Sequence, residues 1–296
     1  MSEDTAATSC CASCGVERSD EIKLMDCSAC NLVRYCGAKC QRKHWPQHKP
    51  ACKKRAAELR DEILFKQPDS SHLGDCPICM IPLPLDLECS SIMTCCSKTV
   101  CDGCVRTIEL RDGGDVCPFC RTPVPTKKKA NRNLMKRIEA NDPVAIRQKG
   151  SEYFGQGNYS AAVELFKKAA KLGDGEANYQ LAGCYGLGLG VERKPKMEIF
   201  YWEEAAIGGH PKARYNIGVT EKRNGRFDRA QRHWIIAASQ GHTNAVKALV
   251  ENHKRGLVKK EVADDALRAY KAAVDATKSP QREAAEAVNQ NVNSYR

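Results

Sequence analysis

Closely spaced cysteines limit more than any other feature what this 296-residue sequence can fold into. Seventeen of its eighteen cysteines lie within the first 120 residues, and many recur as Cys-x-x-Cys pairs. The first six residues are polar and acidic and lack the apolar core of a secretory signal. We therefore expect an intracellular protein, cytoplasmic or nuclear, in a compartment where disulfides are disfavoured and paired cysteines bind metal.

The order of these pairs predicts a multi-domain fold class, with two small zinc-stabilised fingers followed by an all-α solenoid of helical hairpins. Neither finger has enough apolar residues to fold without metal. No apolar run approaches the roughly 20 residues that a bilayer crossing needs, so we expect no membrane span. The predicted segments are a polar lead at 1–10, a first finger at 11–52, a helical or linker segment at 53–75, a second finger at 76–122, a Pro/Lys-rich connector at 123–141, helical repeats at 142–276 and a tail at 277–296.

The first finger contains eight potential zinc ligands, which suffice for two closed tetrahedral sites. Its last two pairs have i, i+4 spacing, which places both donors of a pair on one face of a helix. The segment resembles the MYND zinc finger, including Tyr35-Cys36, Cys40-Gln41 and Trp45 before His48-x-x-x-Cys52. The resemblance implies a module that binds short proline-containing peptides; the alternative is a purely structural finger. It also implies two interleaved zinc sites, Cys11, Cys14, Cys36 and Cys40 in one and Cys27, Cys30, His48 and Cys52 in the other.

Two donors beside this motif, Cys10 and His44, are predicted not to be ligands.

The second finger again offers eight donors: Cys76, Cys79, Cys95, Cys96, Cys101, Cys104, Cys117 and Cys120. Their order resembles that of a RING finger, a zinc-stabilised cross-brace. The resemblance implies a shallow groove for a ubiquitin-conjugating enzyme, formed by Ile78, Ile108 and Pro118, with Arg121 contacting ubiquitin. Such a ligase would act by positioning its partners, with no catalytic residue of its own.

One position departs from the RING pattern. Lys98 stands where a histidine ligand is usual, and a cationic lysine has no lone pair to offer a metal. Either Cys95 and Cys96 both coordinate with Cys117 and Cys120, or the second site is three-coordinate or empty. Cys89 is predicted not to be a ligand. Two functions stay open, a RING-type ubiquitin ligase and a non-enzymatic scaffold with a degenerate RING, and in the full case we expect four zinc ions per chain.

Metal binding also changes what the charge of the chain implies. Lysine and arginine exceed aspartate and glutamate by 11, but zinc-bound cysteine is a thiolate. One Cys₃His site and three Cys₄ sites lower the net charge to about +4. The cations at 127–129 and Arg132 are interpreted as part of an extended, solvated connector. No aromatic residues alternate with them as single-strand stacking requires, so we do not expect nucleic-acid binding.

Small residues recur in the last half of the chain at intervals of 36 and then 32 residues, as Ala177, Ala213, Ala245 and as Gly173, Gly209, Gly241. Such periods indicate stacked helical hairpins, and Gly173 or Gly209 can end a helix in a left-handed turn. Residues of the form Ala177-x-x-x-Leu181-Ala182-x-x-Tyr185 resemble tetratricopeptide-type repeats of the Sel-one-like kind. The resemblance implies a concave scaffold for an unknown protein partner. We expect Cys184 in the core, His210 and His242 in turns, and a frayed tail from Ser279.

Overall fold

The computed structural model describes residues 9–114 and 116–293. The chain divides into two compact units, Met1–Lys66 and Gln67–Arg296, which are described one at a time. In the described part of the chain, none of the helices combines the length and the apolar character that crossing a membrane requires. The predicted polar lead lies almost wholly outside the described residues.

The first unit is a small finger built on a long helix. Strands β1 (Met25–Asp26) and β2 (Arg34–Tyr35) pair antiparallel, and α1 (Ala38–Leu64) follows directly. The buried core of the finger consists of four cysteines and one tyrosine: Cys11, Cys27, Cys30, Cys52 and Tyr35. So small a core cannot offset the entropy of ordering the chain, so the finger needs metal to fold.

The second unit begins with the second finger. A 3-10 turn (Leu87–Cys89) leads into strands β3 (Ser90–Ile92) and β4 (Thr99–Cys101), which pair antiparallel, and α2 (Asp102–Asp112) starts immediately after them. Isolated β-bridges close the chain on either side of two ligand pairs, Asp75 with Pro82 and Val116 with Pro123. The apolar centre is again small, formed by Cys76, Leu83, Val100 and Cys101.

Helical hairpins form the body of the second unit. Each consists of two antiparallel helices that bury alanines where they approach, and successive hairpins stack on one another. The predicted all-α repeat body is therefore present. The eight helices are α4 (Pro143–Gly155), α5 (Tyr159–Lys171), α6 (Gly175–Leu187), α7 (Pro195–Ile207), α8 (Pro211–Arg223), α9 (Phe227–Ser239), α10 (Thr243–Lys254) and α11 (Lys260–Asp275).

The first helix of every hairpin starts with the same cap. A side chain at the N-cap accepts a hydrogen bond from the backbone N–H three residues later, which belongs to a fully buried alanine. Aspartate and asparagine are common N-caps, and histidine takes the same place here through Nδ1. The caps are Asp142, Asp174, His210 and His242, so the two histidines predicted as turn residues have a defined capping role.

The turn that precedes each of these caps is left-handed. Gly173 and Gly209 have φ of +91° and +81°, as the sequence predicts for helix-ending glycines. Cys184 is buried in the repeat core, again as expected.

The Pro/Lys-rich connector is not extended. Residues Lys127–Glu139 form a helix, α3. Near its end, Arg137 donates to the Asp142 carboxylate at 2.7 Å and to the Thr94 carbonyl at 3.0 Å. The expectation of an extended linker was wrong because the contacts that fix α3, with the second finger and the first repeat, are made at its C-terminal end, outside the lysine run.

The C-terminal tail differs from expectation in the same way. Instead of fraying from Ser279, the chain forms a helix, α12 (Pro280–Asn293), that packs against α2 of the second finger. The polar composition that suggested disorder is compatible with a helix that is held by another element of the same unit.

Candidate metal centres

One type of hydrogen-bonded turn presents several of the ligand pairs in each finger. In each case a cysteine N–H donates to a carbonyl five or six residues ahead, and the N–H four residues ahead donates back to the cysteine carbonyl. The residue four ahead has a positive φ. We call this turn a knuckle; it presents the first and fourth residues toward one point, as a metal requires. The knuckles with cysteine first begin at Cys11, Cys27, Cys76 and Cys117.

The first finger brings its eight predicted ligands together as two interleaved quartets. Cys11, Cys14, Cys36 and Cys40 form one, and Cys27, Cys30, His48 and Cys52 form the other, with all donor atoms of a quartet within 4.8 Å of one another. Four sulfurs bound to zinc at about 2.3 Å lie about 3.8 Å apart. The observed separations are 3.7 Å for Cys14–Cys36 and 3.8 Å for Cys27–Cys52. Both quartets therefore have the size of a zinc site.

The second finger brings its eight predicted ligands together in the same manner. Cys76, Cys79, Cys101 and Cys104 form one quartet, and Cys95, Cys96, Cys117 and Cys120 form the other. The Cys79–Cys101 sulfurs are 3.8 Å apart, Cys96–Cys117 4.0 Å and Cys95–Cys120 3.3 Å. Among the described residues, Cys10, Cys89 and His44 belong to no such group. The donor sets of both fingers fit zinc, the cofactor expected of them.

A fifth knuckle explains how two adjacent cysteines serve one quartet. Met93 N–H donates to the Lys98 carbonyl and Ser97 N–H donates to the Met93 carbonyl, the same pair of bonds as in the other four. Ser97 has the corresponding positive φ of 55°. Met93 thus occupies the first ligand position and Cys96 the fourth. Cys95, one residue before Cys96, supplies the thiolate that the thioether of Met93 cannot provide.

This arrangement leaves no coordinating role for Lys98. Its carbonyl closes the knuckle, and its ammonium group lies 5.9 Å from the centre of the Phe119 ring. The contact is a cation–π interaction with a residue between Cys117 and Cys120. The two adjacent cysteines therefore complete the quartet without Lys98, whose ammonium group packs over the neighbouring knuckle.

In each quartet one thiol has a lowered pKa: about 6 for Cys11, Cys27 and Cys120, and about 7 for Cys76. Burial raises the pKa of all four thiols, but hydrogen bonds from backbone N–H groups and neighbouring side chains lower it more. Metal binds the thiolate, so a first thiolate near neutral pH favours loading.

The four residues predicted to face partners of the second finger differ in accessibility. Ile78 is 36% exposed, Pro118 is half-buried and Ile108 is only 8% exposed. Arg121 is exposed and forms an ion pair with Asp112 at 2.6 Å. Hydrogen bonds from Arg111 and then Arg121 lower the pKa of Asp112 to about 2.

One further group of potential ligands was not found from the sequence. This group consists of His72, Glu176 and His210. His72 and Glu176 line a cavity of about 600 Å³, and His210 lies beside it. His210 Nε2 is 3.0 Å and His72 Nε2 3.5 Å from the same Glu176 oxygen. Burial raises the pKa of Glu176, but hydrogen bonds from His210 and then His72 bring it well below its usual range. The two imidazole rings stack with centroids 4.0 Å apart.

The polarity of the hydrogen bonds shows that this group is not arranged for a metal. The Ala213 N–H donates to His210 Nδ1, so in this network the ring proton is on Nε2 and is donated to Glu176. A metal on Nε2 needs that nitrogen bare and the other N–H facing an acceptor. The group instead fastens the segment 67–75 to the repeats, together with the His72 N–H bond to the Gly209 carbonyl at 3.1 Å.

These features define the class: a protein with cysteine-rich zinc fingers and a helical-repeat body. Residues 11–52 match the MYND finger family, which confirms the first finger and its zinc. No family match supports the RING-like interpretation of the second finger, whose clusters are compatible with bound zinc.

Curated relatives match short stretches of the chain. Human "Histone-lysine N-methyltransferase SMYD3" is 61% identical over 31 residues, 10% of this chain and 7% of that protein. "SET domain and MYND-type zinc finger protein 6" of Schizosaccharomyces pombe is 37% identical over 65 residues, 22% of this chain and 13% of that one. "Protein CBFA2T2" of Xenopus laevis is 38% identical over 52 residues, 18% and 8% respectively. The chain therefore spans only a small part of the length of these relatives.

Two solved structures align with a larger share of this chain. A Sel1 repeat protein from Oxalobacter formigenes aligns with 59% of this chain and 72% of that one, at 24% identity and a TM-score of 0.45. The Escherichia coli protein c5321, described as having an SLR fold, aligns with 64% and 40%, at 20% identity and a TM-score of 0.39.

Proposed function

We propose that this protein is a zinc-dependent protein-interaction adaptor, in which the MYND finger binds a proline-containing peptide and the repeats bind a second protein. The observation that carries the proposal is Trp45. Its side chain is 40% exposed although its ring makes an edge contact with the ring of His48, with centroids 6.3 Å apart. Zinc at the His48 quartet would thus hold an exposed indole in a fixed place.

An exposed indole suits a proline-containing ligand. Proline rings pack on aromatic side chains, and proline-rich segments lose little entropy on binding because they are already extended. Leu32 and Met25 of the same finger are 42% and 57% exposed and add apolar surface. Nothing in these contacts requires the finger to do chemistry, because each quartet fills all four positions of a tetrahedral zinc.

Binding of labelled proline-containing peptides, measured by fluorescence anisotropy with the full chain, tests this proposal. We expect Trp45→Ala to weaken binding at least about tenfold, the loss typical of a central aromatic anchor. Leu187→Ala is the matched control, because Leu187 is a 74% exposed apolar residue of the repeat body. If both variants bind like the wild type while keeping their zinc, Trp45 is not the peptide site.

A second candidate function is ubiquitin ligation by the second finger. The observation that favours it is the exposed apolar surface at its two knuckles, where Ile78 is 36%, Met80 70% and Phe119 41% exposed, next to the exposed Arg121. Because Ile108 is buried, it adds little accessible surface to the groove that the RING resemblance implies. The Sel-one-like assignment of the repeats, and with it a concave partner-binding face, is likewise part of the proposal.

Autoubiquitination with a broad panel of conjugating enzymes separates the two candidates. A ligase should lose activity in the Ile78→Ala, Arg121→Ala double variant and keep it in Leu187→Ala. A wild type no more active than the double variant with any enzyme of the panel would remove the ligase candidate. The adaptor proposal would be unaffected, because it rests on the first finger and the repeats.

A further inference from the structure

The C-terminal helix α12 makes a close contact with the metal-binding part of the second finger. Gly103 lies on α2 between the predicted ligands Cys101 and Cys104. A Cβ atom on Gly103 would be 2.8 Å from Arg282 N and 2.9 Å from Gln281 C, closer than real Cβ contacts come. The backbone of α12 therefore lies directly against the ligand-bearing turn of α2, at a position that only glycine allows.

The side chain of Arg282 extends from this contact to the opposite knuckle. Its Nη1 donates to the carbonyls of Pro82 and Thr277 at 2.6 and 2.7 Å. Its Nη2 donates to the Ile81 carbonyl at 3.0 Å and to Cys79 Sγ at 3.4 Å. Three carbonyl oxygens fix the guanidinium group so that one N–H is directed at a predicted zinc ligand.

The positive charge of Arg282 offsets the negative charge of this quartet when zinc is bound. Four thiolates on one Zn²⁺ carry a net charge of −2, and Cys76 and Cys101 of this quartet are fully buried. A buried negative charge is costly unless a partner offsets it. Arginine remains charged at every accessible pH and offers several N–H donors in a fixed plane, so it can bind sulfur and backbone oxygens together.

We propose that α12 is an integral part of the second finger, and that Arg282 is the outer-shell donor of the quartet Cys76, Cys79, Cys101 and Cys104. Zinc binding by this quartet and docking of α12 are then energetically coupled. The coupling is reciprocal: docking of α12 raises the zinc affinity of the quartet by the same factor by which bound zinc favours docking of α12. Loss of an outer-shell partner typically lowers metal affinity about 10- to 100-fold.

The test follows zinc transfer from the purified full chain to a chromogenic chelator, together with hydrogen exchange of residues 280–288. We expect Arg282→Ala to lower the zinc affinity of one equivalent per chain about 10- to 100-fold and to reduce protection of α12. Arg282→Lys should lie closer to the wild type, because it keeps a cation near the thiolates. Arg268→Ala is the matched control, since Arg268 is an exposed arginine of α11 paired with Asp265.

Gly103→Ala provides an independent variant that keeps Arg282 but displaces the helix, and it should accelerate the loss of the same zinc equivalent. Removing zinc from the wild type should in turn expose α12 to exchange while the repeats stay protected. Unchanged zinc affinity in Arg282→Ala would overturn the proposal, as would α12 protection that persists after zinc removal. Equal affinities for Arg282→Lys and Arg282→Ala would contradict the role of the positive charge.

Discussion

Gly218 of α8 lies directly against the indole ring of Trp234 in α9. A Cβ on Gly218 would be 2.5 Å from Trp234 Nε1, and that nitrogen donates to the Tyr215 carbonyl at 3.4 Å. The first hairpin repeats the relationship 68 residues earlier, where a Cβ on Gly150 would be 2.7 Å from the Phe166 ring. In both of these hairpins, a large aromatic ring of the second helix therefore packs against a glycine of the first helix, where a side chain would not fit.

Substitution of Gly218 by alanine should accordingly destabilise the repeat body. Overpacking a core usually costs about 1–3 kcal/mol, so after the gain in helix propensity we expect the free energy of unfolding to fall by up to about 2 kcal/mol. Urea denaturation followed by circular dichroism measures it, since the signal comes mainly from the repeat helices. The gain in helix propensity from glycine to alanine, about 1 kcal/mol, works in the opposite direction and is smaller than the clash.

Gly183→Ala is the matched control. Gly183 lies inside α6, and a Cβ there would meet no atom within 4 Å other than its own helix backbone and chain neighbours. This variant should be more stable than the wild type by about 0.5–1 kcal/mol, because only the helix propensity changes. A Gly218→Ala protein as stable as Gly183→Ala would mean that α8 and α9 are not packed this closely.

Much of the repeat architecture can be predicted from the sequence, because each repeat is defined by residues that lie close together along the chain. Alanines at Ala177, Ala213 and Ala245 recur because each follows a helix cap, and the glycines recur because each turn is left-handed. Aligning the repeats would also have shown His210 in the place of Asp174, and hence its capping role.

What the sequence does not reveal depends on contacts distant along the chain. The helices α3 and α12 have polar, charged sequences that are also typical of linkers and tails. Arg137 and Arg282 fix them through carbonyl oxygens of the second finger, and carbonyl acceptors leave no trace in side-chain composition. Likewise, the way in which Cys95 and Cys96 join one quartet depends on the backbone bonds around Met93, which no ligand spacing shows.

Zinc analysis of cysteine variants tests the fifth knuckle. The wild type should contain four zinc ions per chain, one for each predicted Cys/His quartet, and Cys95→Ser should contain three. Because Met93 occupies the position that cysteine occupies in the other four knuckles, adding Met93→Cys to Cys95→Ser should restore the fourth ion. Metal content per chain is measured by elemental analysis of protein dialysed against weak chelator.

Cys89→Ser controls for loss of a thiol as such, because Cys89 is half-buried and belongs to none of the quartets. It should keep four zinc ions. Three ions in the wild type would locate the defect in the quartet of Cys95, Cys96, Cys117 and Cys120. Three ions in the Met93→Cys, Cys95→Ser protein would show that the knuckle position alone does not decide which residue coordinates.

The Glu176 carboxylate should matter for stability but not for metal content. Glu176→Gln removes the charge that His210 and His72 face, and we expect about 1–3 kcal/mol lower stability, the range for disturbing a buried polar network. Zinc content should stay at the wild-type value, even after incubation with excess zinc. Glu192→Gln, an exposed carboxylate paired with Lys194, is the control. A wild type that binds one zinc more than Glu176→Gln would contradict the hydrogen-bonding interpretation.

Acid should destabilise the repeats through their capping histidines. Burial, and then the charges of Lys212 and His210, lower the pKa of His242 to about 4, and its neutral Nδ1 accepts the Ala245 N–H at 3.3 Å. The unfolded chain takes up this proton near pH 6.5. The stability that His242 contributes is therefore complete above pH 6.5 and is lost as the pH falls toward 4, by at most about 1.4 kcal/mol per pH unit.

His242→Asn separates this proton from every other acid effect, because asparagine is a good N-cap that does not titrate. Between pH 7 and pH 5 the free energy of unfolding should fall by about 1–2 kcal/mol less in His242→Asn than in the wild type. Protonation of the zinc thiolates affects both proteins equally, so it cancels in this difference. Denaturation curves at the two pH values give the four free energies required, and an equal fall in both proteins would show that His242 takes up its proton in the folded repeats as readily as in the unfolded chain.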